Sequence, residues 1–472
     1  MISVPLDWVA AQVGGQLHGD NLHIDSVSID SRQVQPGALF IAIKGPRFDG
    51  HDYIRQALEA GAGAIVSDRP LALNAPVIVV KDTRHALGQL GAAVKARCQV
   101  KTVAVTGSSG KTTVKEMCAN ILRQCGQVLA TRGNLNNDIG VPLTLLELTE
   151  ADEYAVIELG ANHRGEIAYT TRLTAPDVVL INNVSPAHVE GFGDIWGVAR
   201  AKTEIVKGLH EHGVVFTNAN SQFYEFWQRE LHAYQHKVFA LQGAFEPDNF
   251  SYAMADYFAT DIQLDQHGCA TFTLHQGTQT QRIRVPVPGA HNVANAVAAA
   301  ALCGELGVSF GSIAAGIETL APVPGRMQVQ QVSAKLRVID DTYNANVASA
   351  KAGLDVLASF SGYRVMVLGD MGELGVRARE YHEEVGLHAL EVGIDNLFTL
   401  GVLSQSASQA FNGHGGQHFD SHLALTGALT ELIQTQDNLT ILIKGSRSAR
   451  MERIVEMLIE QTTEHTAGGL AC

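Results

Sequence analysis

Short apolar runs separated by amphipathic stretches alternate along most of the 472-residue chain. The runs 154–159 (YAVIEL), 177–182 (DVVLIN) and 213–217 (GVVFT) have the length and continuous apolar character of strands buried on both faces of a parallel sheet. The longer segments between them show helical spacing of their apolar residues. This alternation predicts an α/β protein built on doubly wound, mostly parallel sheets.

The length of the chain predicts three α/β units. Residues 1–98 form a small unit, residues 99–322 a central unit with a mostly parallel sheet, and residues 323–472 a Rossmann-like doubly wound unit that lacks the G-x-G-x-x-G motif. The two prolines of APVPGRM (321–327) indicate a linker. Alternating apolar and polar residues between 237 and 288 predict an antiparallel appendage on the central unit.

The segment VAVTGSSGKTT (103–113) places a strand, a small-residue turn and a helix start in succession. At such a turn, backbone N–H groups and the positive end of the helix dipole converge on an anion. Lys111 would then reach the β- and γ-phosphates of a nucleotide, and the Thr112 hydroxyl would hold Mg²⁺. The loop is shorter than the common motif, since Val105 stands where that motif has glycine, and a tight turn with a solvated lysine is the alternative. The flanking strand and helix favour nucleotide binding. The predicted nucleotide-binding residues of the loop are Gly107, Ser108, Ser109, Gly110, Lys111, Thr112 and Thr113.

Charge and composition argue against several classes of protein. Lysine and arginine number 34 and aspartate and glutamate 48, and the resulting net charge of −14 argues against a nucleic-acid or anionic-membrane surface. The chain has no run of about 18 apolar residues to span a bilayer, and the start MISVPLDWVAAQVGG lacks the basic region of a signal peptide. The six cysteines form no C-x-x-C pair, which is typical of reduced thiols in a cytoplasmic protein.

Polar residues follow the predicted strands of the central unit. Glu158 lies at the C-terminal end of its strand, where open α/β sheets place their ligands. The residue pattern allows two interpretations, a carboxylate that binds Mg²⁺ and a carboxylate that faces solvent. His188, in a following loop, carries little weight by itself because Mg²⁺ prefers oxygen. Asn292 and Asn295 share one face at the start of an alanine-rich helix, and they would either cap it or point together at a ligand.

Similar polar clusters follow strands of the two outer units. Three strand ends of the last unit carry DDTYN (340–344), GDMGE (369–373) and KGSR (444–447), which together predict a ligand-facing edge. In the first unit, DSR (30–32) and KGPRFDGHD (44–52) have the composition of plain loops. Their basic side chains would also suit a phosphorylated ligand, but the spacing alone favours loops.

Longer strings then point to a known family. TGSSGKTT, GNLNNDIGVPLTLL, IELGANHRGEI, ARAKTEI, GAHNVANAVAA, DDTYNAN and KGSRSARME occur in the order of the Mur ligases, and the chain resembles that family over nearly its whole length. The resemblance implies a cytoplasmic monomer that uses ATP to extend a cell-wall precursor whose uridine nucleotide binds to the first unit. GNLNN, GDMGELG and KGSR favour D-alanyl-D-alanine and UDP-N-acetylmuramoyl-tripeptide as the small-molecule substrates, with no nucleic acid as partner. A ligase that adds a single amino acid, a folate polyglutamate ligase and an ATP-dependent regulator without ligation are the alternatives.

The resemblance also implies roles for single residues. Lys111, His188 and Lys202 would be catalytic, and Lys202, in ARAKTEI, matches the lysine that CO₂ carbamylates to give carboxylate-like oxygen ligands for Mg²⁺. From the residue pattern alone, Lys202 is an ordinary helix lysine. The implied ligands of two Mg²⁺ ions are Thr112, Glu158, His188 and carbamylated Lys202. The implied ATP contacts outside the phosphate loop are Asn292, Asn295, Arg326, Asp341 and Asn344. The implied substrate contacts are Ser31, Arg32, Lys44, Asp49, His51, Asn134 and Asn137 on the uridine-nucleotide side, and Lys444, Ser446 and Arg447 for the dipeptide or the transferred phosphate.

Overall fold

The computed structural model describes residues 1–186, 189–248, 250–411 and 413–468, with side chains up to residue 461. It confirms the predicted α/β class, because three mainly parallel sheets follow one another along the chain. No helix within the described ranges is long and apolar enough to cross a membrane.

The first unit is a five-stranded sheet with three helices. Its elements are β1 (Val4–Pro5), α1 (Leu6–Gln12), β2 (Gln16–His18), β3 (His23–Ile24), β4 (Val27–Ser28), β5 (Leu39–Ile41), α2 (Ile54–Glu59), β6 (Ala64–Ser67), β7 (Val77–Val79) and α3 (Thr83–Cys98). The sheet order is β2-β7-β6-β5-β4, with β2 antiparallel and the other strands parallel, and β1 pairs with β3 beside it. All three residues of β5 are buried, as expected for a parallel strand covered on both faces.

The central unit is a nine-stranded sheet that carries the phosphate loop. Its strands are β8 (Lys101–Thr106), β9 (Val128–Ala130), β10 (Tyr154–Glu158), β11 (Val178–Ile181), β12 (Val214–Asn218), β13 (Gln235–Leu241), β14 (Tyr257–Leu264), β15 (Cys269–Gln276) and β16 (Gln279–Pro288). Its helices are α4 (Lys111–Leu122), α5 (Gly140–Leu145), α6 (Glu166–Thr174), α7 (Val189–Phe192), α8 (Ile195–Thr203), α9 (Tyr224–Glu230), α10 (His291–Glu305) and α11 (Phe310–Glu318). The strand order is β16-β15-β14-β13-β12-β11-β8-β10-β9.

The prediction of an antiparallel appendage between 237 and 288 is wrong in part. β13 runs parallel to β12, and β14 runs parallel to β13, so both continue the central sheet. Antiparallel pairing begins between β14 and β15 and continues to β16. Alternating polar residues report that one face of a strand is exposed, and they carry no information about its direction.

The third unit is a six-stranded sheet with helices between its strands. Its elements are β17 (Gln328–Gln331), β18 (Leu336–Asp341), α12 (Val347–Ser359), β19 (Tyr363–Gly369), α13 (Ala378–Glu391), β20 (Asn396–Leu400), α14 (Gln405–Ala410), β21 (Gly416–Phe419), α15 (His422–Thr435), β22 (Leu439–Lys444) and α16 (Glu452–Gly468). The order is β17-β18-β22-β19-β20-β21, with β17 antiparallel. The two edge strands, β17 and β21, are short and polar, which is why the apolar pattern did not predict them.

The first and central units share a hydrophobic core. Helix α3 of the first unit packs against α5 and α6 of the central unit, and Leu87 and Leu90 of α3 lie in the same buried cluster as Val141 and Ile167. The third unit has its own clusters on the two faces of its sheet, with Val287 of the central unit packed at the edge of one of them. The chain therefore consists of a two-unit body and a third unit with a core of its own.

The carboxyl ends of three central strands meet at one place. β8 lies between β10 and β11, with Val105 in register with Glu158 and Thr106 in register with Ile181. The loops that follow these strands adjoin where the strand order changes direction, which is where open sheets bind ligands. In the third sheet β22 lies between β18 and β19, so the three predicted strand-end clusters are also neighbours.

Candidate active site

A cavity of about 1230 Å³ lies between the central and third units. Its central-unit wall contains the phosphate loop from Ser108 to Thr113, together with Glu158 and Lys202. Other predicted residues that line it are Asn134, Asn292, Asn295, Arg326, Asp341, Asn344, Lys444, Ser446 and Arg447. The two sheets therefore turn their ligand-facing edges toward one space.

The phosphate loop is a tight turn between β8 and α4. Gly110, directly before α4, has a φ of +74°, and a Cβ there would lie 2.5 Å from Asn295 Oδ1 and 2.6 Å from Asn182 Nδ2, so only glycine fits. Lys111 donates from Nζ to the Gly107 carbonyl oxygen at 2.8 Å, and burial lowers the pKa of this lysine. The first N–H groups of α4 have no partner within the helix and are available to an anion.

Asparagine side chains hold the loop from the side. Asn183 Oδ1 accepts from the Ser109 N–H at 2.9 Å, and Asn183 Nδ2 donates to the Ser109 carbonyl oxygen at 3.0 Å. Asn182 Nδ2 donates to the same carbonyl at 3.0 Å and to Asn295 Oδ1 at 3.1 Å. Asn295 in turn donates to Asn292 Oδ1 at 2.8 Å. Of the two roles that the sequence left open for Asn292 and Asn295, helix capping is wrong, because neither side chain caps α10.

The Glu158 carboxylate at the end of β10 is buried, and the residue is 2% exposed. Thr112 Oγ1 donates to Oε2 at 2.7 Å, and Asn136 Nδ2 donates to Oε1 at 2.8 Å. The solvent-exposed interpretation of this residue is therefore wrong. A hydroxyl and a carboxylate this close supply the hard oxygen ligands that Mg²⁺ prefers. Within the described part of the chain, no group of three or more His, Cys, Asp or Glu residues is arranged to hold a metal ion by itself.

Lys202 on α8 is buried in the wall of the cavity, with 1% of the residue exposed. Its Nζ lies 5.8 Å from the centroid of the Phe192 ring. Burial, and to a smaller extent the charge of Lys111, lowers the pKa of Lys202 to about 7. The uncharged, nucleophilic form of this amine is therefore more favoured at neutral pH than that of an exposed lysine. The companion candidate His188 lies outside the described residues.

Third-unit side chains complete the cavity. The Arg326 guanidinium carbon lies 4.2 Å from the centroid of the Tyr343 ring, in a cation–π contact. Lys444 Nζ forms an ion pair with Asp341 Oδ2 at 2.5 Å and donates to the Asn344 carbonyl oxygen at 2.9 Å. The Lys444 amine thus holds the loop after β18 in place, and its contacts are within the protein.

The third unit also touches the phosphate loop directly. Asn346 caps α12 through Oδ1, which accepts from the Ser349 N–H at 2.9 Å, and its Nδ2 donates to the Ser108 carbonyl oxygen at 3.3 Å. A second contact joins the Glu190 N–H to the Glu373 carbonyl oxygen at 3.5 Å. These contacts between units bound the cavity on this side.

Three family models match the chain in order. They are the "Mur ligase family, catalytic domain" over 23–95, the "Mur ligase middle domain" over 105–303 and the "Mur ligase, glutamate ligase domain" over 325–447. The UDP-N-acetylmuramoyl-tripeptide–D-alanyl-D-alanine ligase of Escherichia coli (strain K12) is 47% identical over 463 residues, which cover 98% of this chain and 100% of that protein. The chain belongs to the Mur ligase family.

Solved structures agree with this assignment. MurF from Acinetobacter baumannii is similar with a TM-score of 0.90 and 37% identity, covering 97% of this chain and 99% of that one. MurF from Thermotoga maritima, solved in complex with ADP, has a TM-score of 0.81 and 27% identity, and the match covers 93% of this chain and 98% of that one. Both structures are of MurF proteins, and the second contains ADP.

The predicted first-unit residues of this Mur ligase do not line the cavity. They are Ser31, Arg32, Lys44, Asp49 and His51, all in the first unit. Arg32 forms an ion pair with Asp30 at 2.8 Å. The buried His51 ring lies between two carboxylates, with Nδ1 2.6 Å from Asp49 Oδ1 and Nε2 3.1 Å from Asp68 Oδ1. Hydrogen bonds from the His51 N–H and ring lower the pKa of Asp49. These contacts fix the turn that begins at Asp49.

Two residues that the fold brings to the site, Asn136 and Asn346, were not predicted from the sequence, and Tyr343 was predicted only as part of the DDTYN cluster. The predicted residue of the GNLNN string is Asn137, but Asn137 is exposed and its Oδ1 accepts from the Gly140 N–H at 2.8 Å, at the start of α5. Asn137 does not line the cavity, whereas its neighbour Asn136 does. The two consecutive asparagines of GNLNN can be recognised in the sequence as candidates. The local turn determines that Asn136, and not Asn137, faces Glu158.

We expect Asn136→Ala to lower kcat of this Mur ligase by about 10- to 100-fold, because a side chain that orients a metal ligand is typically worth that much. The KM values for the peptide substrates should change little. Asn137→Ala is the matched control: it should lose about 1 kcal/mol of the free energy of unfolding, as for a lost helix cap, with kcat nearly normal. Steady-state kinetics and thermal unfolding of the two variants separate these roles, and equal losses of kcat would contradict the assignment.

Proposed function

We propose that this protein is the ATP-dependent, ADP-forming ligase that joins D-alanyl-D-alanine to UDP-N-acetylmuramoyl-tripeptide in peptidoglycan precursor synthesis. The observation that carries the proposal is one cavity that unites the phosphate loop, Glu158 and Lys202 with three strand-end loops of the third unit. The full-length similarity to ligases named for this reaction supports the choice of substrates.

The chemistry proceeds in two halves. The terminal carboxylate of the tripeptide attacks the γ-phosphorus of ATP, ADP leaves, and an acyl phosphate forms. The dipeptide amine then attacks the acyl carbon, and phosphate leaves with the electron pair of the broken C–O bond. Lys111 and Arg326 neutralise charge on the transferring phosphoryl group, while the free N–H groups at the start of α4 hold the phosphates in position. Contacts such as that of Asn346 with Ser108 keep water away from the acyl phosphate.

The described oxygen ligands of Thr112 and Glu158 suit Mg²⁺, and two such ions are part of the proposal. Thr112 and Glu158 supply oxygen ligands at the loop, and His188 and a carbamylated Lys202 would complete the set. Bound there, the ions would neutralise the negative charge that carboxylate and phosphates bring together.

The burial of the Lys202 amine supports the proposed carbamylation. The uncharged Nζ adds its lone pair to the carbon of CO₂ and loses one proton, which leaves an anionic carbamate. The lowered pKa of Lys202 favours this uncharged form. The product replaces a buried cation beside Lys111 with an anion, which removes like-charge repulsion and supplies oxygen ligands.

We propose the remaining substrate contacts from the positions of the residues in the three units. Ser31, Arg32, Lys44, Asp49 and His51 would bind the uridine nucleotide at the first unit, and Asn134 would face the peptide part in the cavity, with Asn137 supporting the same loop. Asn292, Asn295, Asp341 and Asn344 would border the nucleotide, and Ser446 and Arg447 would border the dipeptide.

We place the domain boundaries at residues 98 and 322. The family resemblance further suggests a cytoplasmic monomer, which sedimentation analysis of the purified protein would test.

A ligation assay tests the proposed reaction. The purified protein is given ATP, Mg²⁺ and UDP-N-acetylmuramoyl-tripeptide, with D-alanyl-D-alanine or single amino acids as the amine. We expect phosphate release and a ligated product with the dipeptide, and neither with a single amino acid. Lys111→Ala should lower the rate at least about 100-fold, as for other lost transition-state contacts. Equal turnover with single amino acids would instead indicate a sister ligase.

A further inference from the structure

A carboxylate oxygen in the cavity wall lacks a donor. Glu452 lines the cavity at the start of α16, and its Oε1 accepts from Arg447 Nη1 at 3.2 Å. Its Oε2 is buried and has no hydrogen-bond partner among the described residues. A buried carboxylate oxygen without a donor is costly, and a cationic ligand would supply the missing N–H group.

The fold presents Glu452 and Arg447 as an adjacent pair of opposite charges. Both follow β22, and Arg450 between them adopts a left-handed conformation with a φ of +51°, which turns the chain into α16. The Arg447 side chain is 69% exposed, whereas that of Glu452 is 30% exposed. The Arg447 guanidinium therefore keeps exposed donors, and the Glu452 carboxylate is the more buried of the two groups.

Three of the other charged groups that line the cavity are engaged within the protein. Asp341 and Lys444 form a buried ion pair with each other, and Glu158 accepts from two side chains at the phosphate loop. Glu452 thus combines a position in the cavity with an acceptor oxygen that the surrounding side chains do not use.

We propose that Glu452 binds the ammonium group of the dipeptide and accepts a proton from it, while Arg447 binds the dipeptide carboxylate. This assignment rests on the proposed ligase activity. D-Alanyl-D-alanine is a small zwitterion with one ammonium and one carboxylate, and an adjacent Glu–Arg pair matches both charges. Glu452 is then a catalytic residue, since it touches the attacking amine.

In the second half-reaction, the ammonium group of the dipeptide loses two protons, and each has an acceptor. The ammonium gives one proton to Glu452, and the freed lone pair forms the C–N bond with the acyl carbon. The C–O bond to phosphate breaks, and the phosphate leaves with that electron pair. The departing phosphate takes the second proton, which the nitrogen loses as the amide forms. The products are therefore the amide and hydrogen phosphate. Glu452 then returns its proton to water.

Glu452→Gln tests the proposal, because it keeps the shape and removes the charge and the base. Ligation of D-alanyl-D-alanine should fall at least about 10-fold in kcat/KM for the dipeptide, as for loss of a charged hydrogen bond. The KM for ATP should not change. Without dipeptide, the tripeptide-dependent exchange of labelled ADP into ATP reports the first half-reaction, and it should stay within about two-fold of the unaltered enzyme. The defect in ligation should narrow above about pH 8, where a peptide α-amine loses its proton unaided.

Glu460→Gln is the matched control, because Glu460 is an exposed glutamate on the same helix. It should leave both half-reactions unchanged. Arg447→Gln should raise the KM for the dipeptide, and it should raise the KM for D-alanyl-D-alaninamide, which lacks the carboxylate, by a smaller factor.

These measurements test the ligase activity and the role of Glu452 separately. If the unaltered enzyme does not ligate the dipeptide, the proposed function fails. If it ligates normally and Glu452→Gln has an unchanged kcat/KM for the dipeptide, the subsite proposal alone is overturned. An equal loss of ADP exchange and ligation in Glu452→Gln would also overturn it, because Glu452 would then act in the ATP half-reaction or in folding.

Discussion

Lys202→Ala is expected to lower ligation at least about 100-fold and to recover activity when formate or acetate is added. The alanine leaves space in a buried wall beside Lys111 and Glu158, where a small carboxylate could take the place of the carbamate. The fold should survive, because the lost side chain is a buried amine that contributes little favourable energy. Steady-state assays with and without the carboxylates measure the loss and the rescue.

The control variant is Lys207→Ala, which removes an exposed lysine shortly after the same helix and should have normal activity. A direct measurement uses ¹³CO₂ and NMR of the metal-free protein, where a carbamate carbon signal should be present and should be missing from Lys202→Ala. The signal should weaken as the pH falls below about 7, since the lowered pKa of Lys202 leaves the amine protonated and unreactive there. Full activity of Lys202→Ala without added carboxylate would contradict the carbamate assignment.

The parts of the candidate site whose local structure could be predicted from the sequence are local in the chain. The phosphate loop needs a strand, a small-residue turn and a helix start within about a dozen residues, and each has a recognisable pattern. Glu158 was predictable as a strand-end carboxylate, although its burial was not, since Thr112 and Asn136 cover it from two other segments. The alternating βα pattern likewise predicted three sheets.

The parts that could not be predicted depend on register between distant segments. Asp341 and Lys444 are partners on adjacent parallel strands, separated by roughly a hundred residues of chain, and no spacing rule reveals that pairing. The choice between Asn136 and Asn137 depends on the turn that precedes α5. The directions of β13 and β14 depend on which connections cross the sheet, and the residue alternation is the same for either direction.

The third unit is expected to be indispensable for ligation but not for folding of the rest of the chain. The buried clusters of the first and central units are formed, among the described residues, by positions up to Leu320. Gly325 already belongs to the third unit, because its carbonyl oxygen accepts from the Tyr343 N–H at 3.0 Å. A chain that ends at Pro324 therefore keeps both of its cores, and exposes mainly the surface that Val287 and the phosphate loop present to the third unit.

Such a shortened chain should unfold cooperatively, bind UDP-N-acetylmuramoyl-tripeptide, bind ATP more weakly than the full chain, and give no ligated product. The uridine-nucleotide residues are on the first unit, so that site stays whole. ATP loses the Arg326 guanidinium and the wall around Asp341, and the dipeptide loses the pair formed by Arg447 and Glu452. Calorimetric titration with each substrate, beside the same titrations of the full chain, measures the two affinities. Ligation at the normal rate by the shortened chain would show that the third unit contributes nothing to the chemistry, and loss of precursor binding would show that the first unit needs the third to form its site.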